Sequence, residues 1–248
     1  MIIKYIISVI IAIIFGQAAG HLNKKLPPVV AEEITYKNFF KTLFKDFKLD
    51  YIFSLVFIVI FVSLVYFTGF SITTILYFIT IFALSLAFTI DFKYQLIPDE
   101  VDIIIGICGI VNLILNIENW WNYLIGALIG GAIFYSLNLI ALLILKKEGM
   151  GFGDVKLMAA LGFLFGIKNI LVITLVSFFI GAIIGIIVMI AKRKEKEEYM
   201  AFGPFIVIGA ITLMFAGADK IIEIFIAFCS ALGLYMTDAI YYIIEKFR

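Results

Sequence analysis

Long apolar runs, parted by short polar breaks, fill the chain from Ile2 almost to its end. A membrane span needs about 20 apolar residues, with a range of roughly 17 to 25. On that measure the pattern predicts spans over Ile2 to about Gly20, Tyr51 to Phe67, Ile72 to Ile90 and Val101 to Asn116. Further spans are predicted over Tyr123 to Leu145, Ile170 to Ala191, Ala201 to Ala216 and Ile221 to Ile244. Val155 to Ile167 is short for a span and crosses only where the bilayer thins locally. The expected fold is therefore an all-α polytopic membrane bundle of eight to nine helices, with residues 1–248 as a single membrane-embedded domain.

The breaks carry their own signals. Thr68-Gly69-Phe70-Ser71 hinges a tight pair of spans, and Trp120 and Trp121 within Ile117 to Asn122 read as an interfacial belt. Gly126, Gly130 and Gly131 would let neighbouring helices approach closely. Residues 21–50 form the one sizeable polar loop: Leu26-Pro27-Pro28 is expected to end any helix entering it, and Thr35 to Lys48 to lie as an amphipathic helix on the membrane surface.

Composition sharpens the class. The 248 residues are 64% hydrophobic and 15% charged, with a mean hydropathy of +1.16, whereas a soluble domain carries about a quarter charged residues. The net charge of +1, with no basic patch interleaved with aromatics, gives no reason to expect a nucleic-acid partner. Cys108 and Cys229 lie far apart inside apolar runs and are expected to be small core residues; with the single His21, expected at the interface, they offer no zinc-binding cluster. Lys and Arg set the orientation: an outward N-terminus puts 16 of the 19 inside and leaves only Lys4, Lys168 and Lys220 outside. The six lysines of residues 21–50 then face the cytoplasm, which disfavours a cleaved signal peptide at the start.

The same orientation places two acids on one membrane face, although neither was used to choose it. Asp91 ends one long apolar run, and Asp154 opens another within Gly149-Met150-Gly151-Phe152-Gly153-Asp154-Val155-Lys156. An ionisable group at a span is costly and marks a candidate functional site. Two carboxylates sharing one proton can hydrolyse a peptide: the ionised one takes a proton from water while the other polarises the scissile carbonyl. Asp154 begins a helix and Asp91 ends one, so the macrodipole is expected to favour charge on Asp154 and the proton on Asp91. Gly151 and Gly153 are expected to leave room for a substrate backbone and to permit conformations closed to other residues. Lys156 would steady the carboxylate or meet lipid phosphate, and Pro98 would hold Ile97 extended. Asp99, Glu100 and Asp102 are expected to be solvated or capping, and Glu223 and Asp238 to be packing or interface groups.

Taken together, these residues resemble the type IV prepilin peptidases, membrane aspartyl proteases with a GxGD motif. Gly151 to Leu157 matches the GxGDxK element, Asp91 with Leu96-Ile97-Pro98-Asp99 the first aspartate, and Phe202-Gly203-Pro204-Phe205 the FGPF element. Gly16 to Pro27, with Asn23, is a looser match to the element after the first helix. The resemblance implies cleavage of the basic leader of type IV prepilin or pseudopilin precursors at the cytoplasmic face of the inner membrane, with Asp91 and Asp154 catalytic and Gly151, Gly153, Lys156 and Pro98 toward the substrate. It implies no cofactor for proteolysis. Many members also N-methylate the product with S-adenosylmethionine and carry a cysteine tetrad in the first loop. Residues 21–50 contain no cysteine, so zinc is not expected and methylation stays open. A preflagellin peptidase of archaeal type is the nearest alternative. A presenilin-like enzyme would place Tyr before the first aspartate, where Ile90 stands. A proton- or cation-coupled transporter would keep its acids near the midplane and show internal repeats; neither is evident in the sequence.

Overall fold

The computed structural model describes residues 2–31, 51–146, 149–191 and 201–246. Among them are nine α-helices: α1 (Ile2–Ala31), α2 (Tyr51–Thr68), α3 (Ile72–Tyr94), α4 (Asp99–Leu115), α5 (Trp120–Leu145), α6 (Phe152–Phe165), α7 (Ile167–Ala191), α8 (Gly203–Ala216) and α9 (Ala218–Lys246). The surface is apolar at positions such as Ile3, Tyr51, Leu143 and Ile144, as expected of helices that face lipid and satisfy their own backbone groups.

Five stretches are long and apolar enough to cross a membrane: Ile3–Asn23, Tyr51–Thr68, Ile72–Tyr94, Ile117–Ile144 and Ile167–Ile190. The chain is thus a multi-pass membrane protein. Several expected spans take a different form. Helices α4, α6 and α8 have 17, 14 and 14 residues, short of the roughly 20 that a bilayer core asks for. The final run does not continue α8 in a straight line, because the chain turns through 108° between α8 and α9. Gly217 makes that turn at a φ of 75°, open to glycine at little cost. Nor does Leu26-Pro27-Pro28 end α1, which runs on to Ala31; the two prolines remove backbone donors, and the helix here outlasts that loss. The segment Thr35 to Lys48 lies outside the described residues.

Two groups of helices make up the bundle. In the first, α1 packs on α2 and α3, and the rings of Phe61 and Phe78 stack at 3.9 Å between α2 and α3. In the second, α6 is the centre, packed by α4, α5 and α7. Its contact with α5 is close because glycines face glycines. A Cβ on Gly126 would come 2.5 Å from the Gly162 carbonyl oxygen, and one on Gly162 would strike the Gly126 carbonyl, so the two backbones nearly touch. Helix α3 joins the groups: α4 and α8 each pack against both α3 and α6.

Two core expectations are revised. His21 is buried rather than interfacial, and Cys229 is exposed on α9 while Cys108 is in the core. A residue's apolar neighbours in sequence do not say which side of a helix it occupies.

The α5–α6 contact predicts that Gly162→Val lowers the thermal unfolding midpoint in detergent, at a cost of about 1–3 kcal/mol from overpacking. Gly106→Ala, where a Cβ meets nothing within 4 Å, should leave the midpoint in place. Equal midpoints for the two variants would dismiss the backbone contact as a packing determinant.

Candidate active site

Asp91 lies in the last turn of α3. The helix ends four residues later at Gln95, whose left-handed φ of 53° and amide bond back to the Asp91 carbonyl (2.9 Å) close it. From there the chain runs to Ile97 and Pro98, both buried, and Pro98 caps the start of α4 with φ −67° and ψ 138°. On the other side, α5 ends at Lys146 in a left-handed conformation. The return to α6 is held by the Asn138 side chain, whose oxygen accepts from the amides of Gly149 (3.1 Å) and Met150 (3.2 Å). Gly151 caps α6, which puts Asp154 in the helix's first turn.

Both carboxyls are taken out of solvent: Asp91 is 5% exposed and Asp154 6%. They are close enough for the charge of one to act on the other. Each lies against a glycine at the start of a helix: Gly151 at the head of α6 beside Asp154, and Gly203 at the head of α8 beside Asp91. Asp91 Oδ2 and Asp154 Oδ1 have no hydrogen-bond partner and no access to solvent. The dipole asymmetry expected from sequence is therefore offset. Asp91 ends its own helix, but it faces the N-terminus of another.

The remaining candidates take different places. Gly151 is exposed, and a Cβ on it would lie 3.6 Å from Asp154 Oδ2, so the space in front of this carboxyl is open. Its φ of −66° and ψ of 145° suit any residue; what glycine supplies here is room, not the conformational freedom expected of it. Gly153 is packed: a Cβ would come 3.1 Å from the Ile97 side chain. Its small size lets the loop after Asp91 meet the loop before Asp154. Lys156 points to Asp99, with its Nζ 2.8 Å from the carboxylate and 5.3 Å from the Phe152 ring centre. Pro98 is buried at the head of α4.

Two features went unread in the sequence. Asp102 is not solvated: both of its carboxylate oxygens are shielded and unpartnered, behind the Asp99–Lys156 pair. A helical wheel from Val101, placing Asp102 beside the buried Ile105, would have raised the question. Gly203 was noted only as part of a motif, and its contact with Asp91 joins residues more than a hundred positions apart.

Residues 77–186 match the profile of the "Type IV leader peptidase family". Among curated proteins, a "Prepilin leader peptidase/N-methyltransferase" from Xanthomonas campestris pv. campestris is 36% identical over 136 residues, covering 53% of this chain and 46% of that protein. Proteins of the same name from Legionella pneumophila (34% over 165 residues, 64% of this chain and 56% of the relative) and Bacillus subtilis (32% over 137 residues, 55% and 53%) are similar in like degree. The chain spans about half the length of the curated relatives it matches. No solved structure matches it. The matched segment contains Asp91, Pro98 and Gly151 to Lys156, and ends before Gly203.

Lys156 and Asp99 have side chains 41% and 71% exposed, and a pair so wet adds no more to stability than an ordinary exposed surface ion pair. A double-mutant cycle with Lys156→Met and Asp99→Asn, read by thermal unfolding, should give a coupling no larger than that. A coupling several times greater would mean that the pair is shielded in the membrane-embedded protein.

Proposed function

We propose that this chain, whose residues 77–186 match the type IV leader peptidase family, is a membrane-embedded aspartic endopeptidase of that kind. The observation that carries the proposal is that Asp91 and Asp154, two acids from separate motifs, are both buried, each with an unpartnered oxygen, and lie within electrostatic reach of one another. Two carboxyls in one apolar site hold a single proton between them, because ionising both is too costly. The ionised member draws a proton from a water molecule, which attacks the scissile carbonyl. The protonated member donates to that carbonyl's oxygen and later helps the leaving amine depart. The pair titrates as a unit, so the roles belong to the dyad. The N-terminal ends of α6 and α8 steady whichever carboxyl is charged.

The substrates are type IV prepilin-like precursors, cut between a basic leader and an apolar segment. On the topology expected from the sequence, sixteen of the nineteen Lys and Arg residues share a side with both acids, which supports a cut at the cytoplasmic face of the cell's inner membrane. Gly151 leaves space before Asp154 for an extended peptide, while Gly153, Pro98 and Lys156 shape the loops around it. The whole of residues 1–248 acts as one peptidase domain; the start of the expected loop 21–50 belongs to α1, which runs to Ala31.

The relatives' name raises methyl transfer from S-adenosylmethionine. A cavity of about 230 Å³ between α7 and α9 is walled by residues such as Leu171, Val172, Ile222 and Phe225, and its one cation, Lys168, is tied to Asp219 (2.5 Å). That lining does not fit an adenosyl group with a carboxylate and amine, so no methyl-transfer step is derived. Proteolysis itself uses the two acids and water.

The test is cleavage of a purified prepilin by the full chain in lipid nanodiscs. Asp91→Asn and Asp154→Asn should each lower kcat by about 10³-fold or more, since catalytic groups that act as a unit fail together. Helix content and unfolding midpoint should stay near those of the parent. Undiminished cleavage by both variants would remove the proposal.

A further inference from the structure

We infer that Gly203 is a positioning residue for Asp91: by lacking a side chain it admits the carboxyl to the first turn of α8. The catalytic half of this inference rests on the peptidase reading; the geometric half does not. A Cβ at position 203 would lie 2.5 Å from Asp91 Oδ2 and 3.0 Å from its Cγ, closer than real contacts allow. Gly203 is not among the positive-φ residues described, so glycine is kept for space rather than for conformation. The donors that follow it in the turn are also accounted for. Pro204 has none, and the amides of Phe205 (3.0 Å) and Ile206 (3.4 Å) return to the Phe202 carbonyl. The Gly203 amide makes no such return, and Gly203 is where the Asp91 carboxyl lies against the turn.

The turn itself is pinned. The ring of Phe202 meets Phe134 of α5 at 5.7 Å, Phe178 of α7 at 5.2 Å and Phe205 at 5.6 Å. Gly181 of α7 makes room for Phe202 and Phe205, which a Cβ there would approach to 3.1 and 3.2 Å. Aromatic packing from three helices thus fixes where the turn lies, and Asp91 is set against it. Misplacing a reacting group by about 1 Å can lower a rate by about 100-fold.

Thermal unfolding of the full chain tests the geometry without any appeal to activity. Gly203→Ala should lower the midpoint by roughly 2–10 °C. In a chain that also carries Asp91→Ala, which removes the opposing Cγ and Oδ2, the same change should have little effect or a reversed one. Additive shifts would overturn the contact. In the prepilin assay, Gly203→Ala should reduce kcat about 100-fold with KM within about twofold of the parent, while Gly106→Ala cuts normally. A raised KM with kcat intact would overturn the positioning role. If the parent chain cuts no precursor, the peptidase reading and the catalytic half fall together, and the unfolding cycle still decides whether Gly203 seats Asp91.

Discussion

The structure depends on one constraint: in an apolar bundle, polar groups are free only where helices end. Helix interiors use up their own amides and carbonyls, and lipid satisfies none. The first turn of a helix keeps unpaired amides, and here two such turns meet two carboxyls. The lengths of α6 and α8 matter for the same reason. Fourteen residues at about 1.5 Å each make a rod of about 21 Å, against a hydrocarbon core of about 30 Å. Helices that short, packed among longer ones, can present their first turns inside the bundle rather than in the headgroups. The deviation from a full span is what makes a buried acid site possible.

Placing both acids at helix N-termini changes the electrostatic argument. A dipole contributes at most about 2 kcal/mol to a partly buried charge. Two carboxylates in one apolar site repel, and ionising both costs more than a dipole returns. Repulsion therefore decides that one proton remains with the pair. The dipoles cannot decide strongly which acid has it, since each carboxyl lies at the head of a helix. Two acids made nearly equivalent exchange roles at little cost, which suits a reaction that needs each to act as both acid and base.

Much of this was legible in the sequence where the physics is local. Apolar runs located the long helices, Gly126 and Gly130 announced the tight α5–α6 contact, and the break at Gly149 to Lys156 marked where an acid opens a helix. Distant relations were not legible. Gly153 looked like space for a ligand, yet that space is filled by Ile97, across the gap between two loops. Asp102 looked solvated because it follows Asp99 and Glu100, but the turn of α4 carries it inward. Hydropathy marks the last two apolar runs but does not register the 108° bend between them at Gly217. The contacts of Gly203 depend on three helices meeting, and no window along the chain contains them.

That last contact also bears on where the site's boundaries lie. The match to the leader peptidase family profile ends at residue 186 and holds both aspartates, so it looks sufficient for chemistry. Yet the helix head that meets Asp91 is that of α8, and the rings that hold it come from α5, α7 and α8. Without α8, Asp91 would sit at the C-terminal end of α3, facing that helix's own carbonyls, where negative charge is disfavoured. The two acids would then differ sharply, and the near-equivalence of the pair would be lost. The working unit is therefore larger than residues 77–186, and it extends at least to the first turn after Phe202.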